Sequence, residues 1–287
     1  MSSQNPFDLP GVEIHWCPGC GNYGALRVLK ETLLESGLTP DQVVIVTGIG
    51  QAGKTNHFMN ANSFNGLHGR YLSTALGIKA SNPTLKVIAI SGDGCTYSEG
   101  GNHFIHAIRY NPDILNIVHN NGVFGLTKGQ ASPTSAKGYV TRAQAFGVYN
   151  TPINAPAIAI ALGASFVARA FVGDMDKTKE IYKEAMNNKG YTLIEMFSPC
   201  VSFNHVNTFQ WYKENTCYLD EAHDPMDQAA ALNVVLREGK LALGVIYRNP
   251  TLTTFNQNIR IYETDDRPLY TRDVDMEKIK ELVDSFR

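Results

Sequence analysis

Short apolar runs alternate with amphipathic stretches along most of the chain, and this alternation predicts a mostly parallel sheet with helices on both faces. The clearest run is Val87-Ile-Ala-Ile-Ser91, which offers no polar side to water. Similar strand-like runs occupy residues 42–47, 114–119, 166–171 and 191–197. Between them apolar residues recur at helical spacing over 23–36 (Leu26, Leu29, Leu33 and Leu34 on one face, Gly37 ending it), 71–80, 99–110 (Phe104, Ile105 and Ile108 inward), 155–162 and 174–187. From Val201 the pattern weakens: 211–221 has no clear period, 227–238 and 273–286 read as helices, and 244–247 as a short strand. The expected fold is α/β, with one domain over 1–210 and an arm over 211–287 that packs on the domain or on a partner.

Candidate chemistry gathers where the strands end. The run from Val87 stops at Gly92-Asp93-Gly94, two glycines around a carboxylate. Glycine lets backbone approach a bulky charged group, and a carboxylate offers hard oxygen to Mg²⁺. A second run, Ile114-Leu-Asn-Ile-Val-His, ends at Asn120-Asn121-Gly122, where an amide oxygen completes a magnesium shell. A strand–GDG–helix–strand–Asn-Asn unit resembles the motif of thiamine diphosphate enzymes. The loop that follows, through Thr127-Lys128 to Thr134, carries glycines, hydroxyls and a lysine at a position where ligands of α/β sheets sit.

Composition narrows the classes. With 287 residues, 43% hydrophobic and 18% charged, the chain buries a large core. A net charge of −2 gives no general attraction to nucleic acid or anionic membrane. The polar, Pro-punctuated start, Met1 to Gly11, lacks a signal-peptide pattern, so the cytoplasm is the expected compartment. Five cysteines, an odd number, favour thiol or metal chemistry over a disulfide framework.

Those cysteines open with His15-Trp-Cys17-Pro-Gly-Cys20 before a helix. The spacing admits a redox pair, half of a zinc site, half of an iron–sulfur site, or two buried small residues; without a convincing strand ahead of it, a metal cluster is preferred. Gly48-Ile-Gly-Gln-Ala-Gly53-Lys54-Thr55 fits the P-loop pattern, but the asparagine-rich stretch after it, 56–66, reads as loop instead of the helix a P-loop needs. His103 and His106 read as packing or polar-network residues.

Several motifs in order carry a family resemblance: His15-Trp-Cys-Pro-Gly-Cys-Gly, Gly48-Ile-Gly, Leu67-His-Gly-Arg, Ser91-Gly-Asp-Gly, Gly101-Asn-His-Phe-Ile-His-Ala-Ile-Arg109, His119 to Thr134, and Pro199-Cys200. Over roughly residues 12–210 the chain resembles the β-subunit of the 2-oxoacid:ferredoxin oxidoreductases. The resemblance implies thiamine diphosphate with Mg²⁺ and a [4Fe-4S] cluster. Ile49, Gly50, Gln51, His68, Gly92, Asp93, Gly94, Asn121, Gly125 and Leu126 would contact the cofactor, while Asp93, Asn121 and the Val123 carbonyl hold the magnesium. Lys128, near the substrate carboxylate, and His68 would serve catalysis. An α-subunit, in a heterodimer or a dimer of heterodimers, would grip the cofactor's pyrimidine ring. The implied reaction releases CO₂ from a 2-oxoacid, passes the acyl group to coenzyme A and electrons to ferredoxin, or runs in reverse; Gln130-Ala-Ser-Pro-Thr134 and Gly101-Asn-His-Phe-Ile-His favour 2-oxoglutarate over pyruvate.

One position departs from the family pattern. Relatives usually have cysteine directly after Gly-Ile-Gly, and here Gln51 stands there. Cys17, Cys20 and Cys200 then need a fourth cluster ligand, for which Cys95 is the expected replacement, with His57 or water as rivals and Cys217 an inert thiol. Two other classes compete: a P-loop NTPase using Gly48 to Thr55, and a non-catalytic zinc-binding subunit.

Overall fold

A computed structural model describes residues 5–287, so residues 1–4 of the polar start lie outside the described residues. In chain order the first elements are α1 (Gly21–Glu35), β1 (Val43–Thr47), β2 (Asn62–Asn65), α2 (Tyr71–Ser81), β3 (Lys86–Gly92), α3 (Gly101–Tyr110) and β4 (Ile114–Asn120). A small ribbon, β5 (Val123–Phe124) with β6 (Gln130–Ala131), precedes α4 (Ala155–Ala161), β7 (Phe166–Phe171), α5 (Met175–Asn187) and β8 (Thr192–Phe197). Then come α6 (Phe209–Asn215), β9 (Thr216–Tyr218), α7 (Gln228–Leu236), β10 (Leu241–Arg248), α8 (Phe255–Asn258) and α9 (Met276–Asp284).

Among the described residues the main sheet has eight strands in the order β2-β1-β3-β4-β8-β7-β10-β9. From β2 to β7 every pairing is parallel, and β10 runs antiparallel to β7. Side chains alternate between faces along each strand. Ile45, Ile88, Ile90, Leu115, Ile117 and Ile194 pack under α1 and α5. Val44, Val46, Val87, Ala89, Val118 and Leu193 pack under α2, α3, α4 and α7. Two such cores explain why the strands read as unbroken apolar runs.

Several expectations are corrected. Leu34 of α1 is exposed, since its neighbours Leu26, Leu29 and Leu33 already fill the stripe facing the sheet. In α3, Phe104, Ala107 and Ile108 are buried and Ile105 points out, because at 3.6 residues per turn positions 104, 107 and 108 form the one stripe facing the core and 105 falls to its side. The stretch 56–66, read as loop, contains the end of a 3-10 helix (Ala52–Phe58) and the exposed edge strand β2. Residues 211–221, without a visible period, divide between α6 and β9, elements too short to show one. The strand foreseen at 244–247 is the longer β10, so part of 211–287 is built into the sheet. Beyond it, α9 is amphipathic yet exposes Met276, Ile279, Leu282 and Val283.

Candidate active site

Neighbouring strands β1, β3 and β4 release their carboxyl ends side by side, and the loops after them form one cleft. In open α/β sheets this edge is where ligands bind. Ile49, Gly50, Gln51, His68, Gly92, Asp93, Gly94, Asn121, Val123, Gly125 and Leu126 all line it. Close packing explains the glycines here: a Cβ on Gly94 would enter the Phe124 ring, and one on Gly48 would lie 2.7 Å from Cys95 Sγ. His68 stands at the rim, its Nδ1 3.3 Å from Glu99 Oε2 and its ring 6.5 Å from that of Phe124.

Asp93 is the buried charge of this cleft, at 1% exposure. The hydroxyls of Ser132 and Thr134 each donate to its Oδ2 at 2.5 Å. Burial outweighs these donors and pushes its carboxyl up to about 6. Among the described residues lining the cleft there is no lysine or arginine to pair with it. A buried carboxylate without a cationic partner, beside the amide of Asn121 and the backbone of Val123, fits a divalent cation. The Asn204 amide donates to the Asn121 carbonyl at 2.9 Å and fixes that turn.

Behind Asp93 lies a polar chain that sequence reading missed. Thr134 Oγ1 is 2.9 Å from Asn120 Oδ1, Asn120 Nδ2 donates to Glu195 Oε1 at 3.1 Å, and Arg169 Nε donates to Glu195 Oε2 at 2.8 Å. Arg169 and Glu195 are both buried on adjacent strands β7 and β8. Charges inside apolar strands were the available signal.

Cys17, Cys20 and Cys200 share a second cavity, lined also by Trp16, Asn22, Gln51, Asn121 and Gly125. Gln51, Asn121 and Gly125 belong to both cavities, so the two adjoin. Hydrogen bonds set this geometry: Gly21 N–H donates to the Pro199 carbonyl at 3.4 Å, and the Trp16 indole donates to the Gln51 carbonyl at 3.0 Å. Burial pushes the Cys20 thiol up to about 11, with Cys200 and Cys17 adding to the rise. Behind them the buried His119 imidazole, held far below its usual value (about 3) by burial, pairs through Nδ1 with Asn22 Oδ1 at 2.8 Å.

Cys95 is not brought to these thiols. Its side chain is buried in the core under α2 and α3, whereas Cys20 packs against the core on the opposite face of the sheet. Its sulfur instead accepts from the amides of Gly69 at 3.1 Å and Ile49 at 3.4 Å. His57 is exposed on the 3-10 helix, and Cys217 lies on β9 at the far edge of the sheet. His106 stacks on Tyr110, in line with a packing role. Lys128 is also outside the cofactor cleft: it is exposed, left-handed at φ 78°, and lines a neighbouring basic cleft with Arg142 and His205.

The P-loop alternative fails locally. Gly53 packs on the Gly48 carbonyl, leaving no room for a phosphate inside the loop, and the Thr55 hydroxyl donates to the Ala52 carbonyl at 2.8 Å. Among the described residues no group of three or more His, Cys, Asp or Glu side chains converges on a single metal ion.

Known proteins match this chain in sequence and in fold. Residues 44–196 fit the C-terminal TPP binding domain of thiamine pyrophosphate enzymes, and residues 200–264 fit the C-terminal part of the pyruvate ferredoxin oxidoreductase beta subunit. The 2-oxoacid:ferredoxin oxidoreductase subunit beta of Saccharolobus solfataricus is 42% identical over 268 residues, 88% of each chain. The chain belongs to the β-subunits of the 2-oxoacid:ferredoxin oxidoreductases. Within that family it is 35% identical, over 67% of its length and 71% of the relative's, to the 2-oxoglutarate synthase subunit KorB of Archaeoglobus fulgidus. Among solved structures, a 2-oxoglutarate:ferredoxin oxidoreductase from Magnetococcus marinus with 2-oxoglutarate, coenzyme A and succinyl-CoA bound superposes with a TM-score of 0.90. That match is 31% identical and covers 98% of this chain and 97% of the other. As a β-subunit of this family, the chain is part of an oxidoreductase with an α-subunit partner and carries a thiamine pyrophosphate-binding domain. No helix among the described residues is long and apolar enough to cross a membrane.

Proposed function

We propose that this β-subunit supports CoA-dependent oxidative decarboxylation of 2-oxoglutarate, or the reverse carboxylation, and passes electrons to ferredoxin in the cytoplasm. The observation that carries this reading is the convergence of the family's motif residues on one cleft beside the cysteine cavity. Asp93, Asn121 and the Val123 carbonyl would hold Mg²⁺ and, with it, the diphosphate; Gly94, which has no room for a Cβ against the Phe124 ring, keeps that wall of the cleft closely packed. Bound thiamine diphosphate supplies the ring that accepts the electron pair freed as CO₂ leaves. His68 closes the rim of the cleft, and Lys128 holds the carboxylate of the incoming 2-oxoacid by charge.

Cys17, Cys20 and Cys200 hold an iron–sulfur cluster, which supplies one-electron acceptance next to the cleft. The exposed Val140, Phe146 and Tyr149 sit on the loop after β6, and Tyr149 lines a cavity with Ser132, the donor to Asp93. Such apolar exposure beside a cofactor site supports coverage by the α-subunit. The relatives named for 2-oxoglutarate support that substrate. Co-expression with the α-subunit and an assay of viologen reduction across several 2-oxoacids tests the reading. Reduction that requires CoA and thiamine diphosphate and is fastest with 2-oxoglutarate is expected; a faster rate with pyruvate refutes the substrate assignment.

A further inference from the structure

Gln51 has a defined place in the fold. Its carbonyl is pinned by the Trp16 indole, which holds the residue against the Cys17-Pro-Gly-Cys20 turn. Its side-chain Oε1 is buried and has no hydrogen-bond partner, and the residue lines the cavity of Cys17, Cys20 and Cys200. A buried acceptor left without a donor costs free energy, which a ligand in the cavity removes. No fourth protein thiol is available there, since Cys95 is committed to the Ile49 and Gly69 amides.

We propose that the cysteine cavity holds a [4Fe-4S] cluster with three thiolate-bound irons, on Cys17, Cys20 and Cys200, and a fourth iron that faces the Gln51 amide oxygen. The proposal rests on the cluster reading above and specifies its ligands. A neutral amide oxygen is a weaker ligand for a thiophilic cluster iron than a thiolate, so the fourth iron is exchangeable. With one negative ligand fewer, the cluster is easier to reduce than a four-thiolate one. The labile corner also faces the cofactor cleft, because Gln51 lines both cavities.

The test uses anaerobically purified holoenzyme, its Gln51→Cys variant, and a Cys20→Ser variant that reveals the iron and spin-resonance signal of any clusters on other subunits. Treatment with ferricyanide should remove one electron from the cluster and release one Fe²⁺ to a chelator. Wild-type protein should then show the signal of a three-iron cluster, and Fe²⁺ with reductant should restore the original spectrum. Gln51→Cys should retain its iron under the same treatment and be reduced at a lower potential. Wild-type protein that keeps its fourth iron as firmly as Gln51→Cys overturns the Gln51 assignment but leaves the cluster reading intact. Cys20→Ser protein with undiminished iron and an unchanged spectrum overturns both.

Discussion

The cofactor cleft and the cysteine cavity share a wall, yet they differ in how their residues are tied to the fold. Asp93 and Asn121 stand directly at the ends of adjacent central strands, so the sheet register alone brings them together. The cysteines come from a turn before α1 and a loop after β8, and depend on the Gly21–Pro199 and Trp16–Gln51 hydrogen bonds to meet. A site set by strand register tolerates no shift of its carboxylate, whereas a site assembled by loops can change a ligand and keep its cavity. Gln51 reaches the cysteine cavity from such a loop, after β1.

The largest expected effect is at the strand-set site. Asp93→Ala should weaken thiamine diphosphate binding by at least about 100-fold, measured as cofactor content after gel filtration. Full content in that variant would remove Asp93 from the magnesium site. Lys128→Ala probes the neighbouring basic cleft: kcat/KM for 2-oxoglutarate should fall roughly 10- to 100-fold, the scale of a lost charged hydrogen bond, with cofactor content normal. An unchanged kcat/KM returns Lys128 to a solvated loop.

The buried pair behind the cleft offers a sharper test of rigidity. Glu195→Ala leaves Arg169 uncompensated and should cost about 3–5 kcal/mol in denaturant unfolding. It should also loosen Asn120 and Thr134 and weaken cofactor binding about 10-fold or more. Stability that drops while cofactor affinity holds would separate the polar chain from the site.

A smaller effect follows from pH. Burial raises the Asp93 carboxyl to about 6, above its unfolded value, so its contribution to apo-protein stability is fully present below the unfolded value and fades as pH rises through about 6. Magnesium needs the carboxylate. Cofactor affinity should therefore fall as pH drops, by about tenfold per unit once below the Asp93 value. Isothermal titration across this range reads the slope directly, and a flat profile would show that Asp93 is already ionised.

Much of the cleft was legible because its signals are local: an apolar run ending in Gly92-Asp93-Gly94 says both where a strand stops and what stands there. The Arg169–Glu195 chain was hidden, since pairing across β7 and β8 is fixed only by the sheet order. Cys95 misled for a related reason: proximity of strand ends does not tell on which face of the sheet a side chain emerges. Ile105 and Leu34 show the same limit on helices, where a slight change of phase or of neighbours turns an apolar residue outward. The short β9 and α6 carry too few residues for either period to register.

The central claim is that the cleft generates electrons and the adjoining cysteine cavity receives them. Adding 2-oxoglutarate and CoA to anaerobic holoenzyme without an external acceptor, while recording the visible absorption that Cys20→Ser lacks, tests it most directly. The account predicts that this absorption bleaches in wild-type protein and persists in Asp93→Ala. Absorption that stays unbleached in the wild type, or bleaches equally without Asp93, would contradict it.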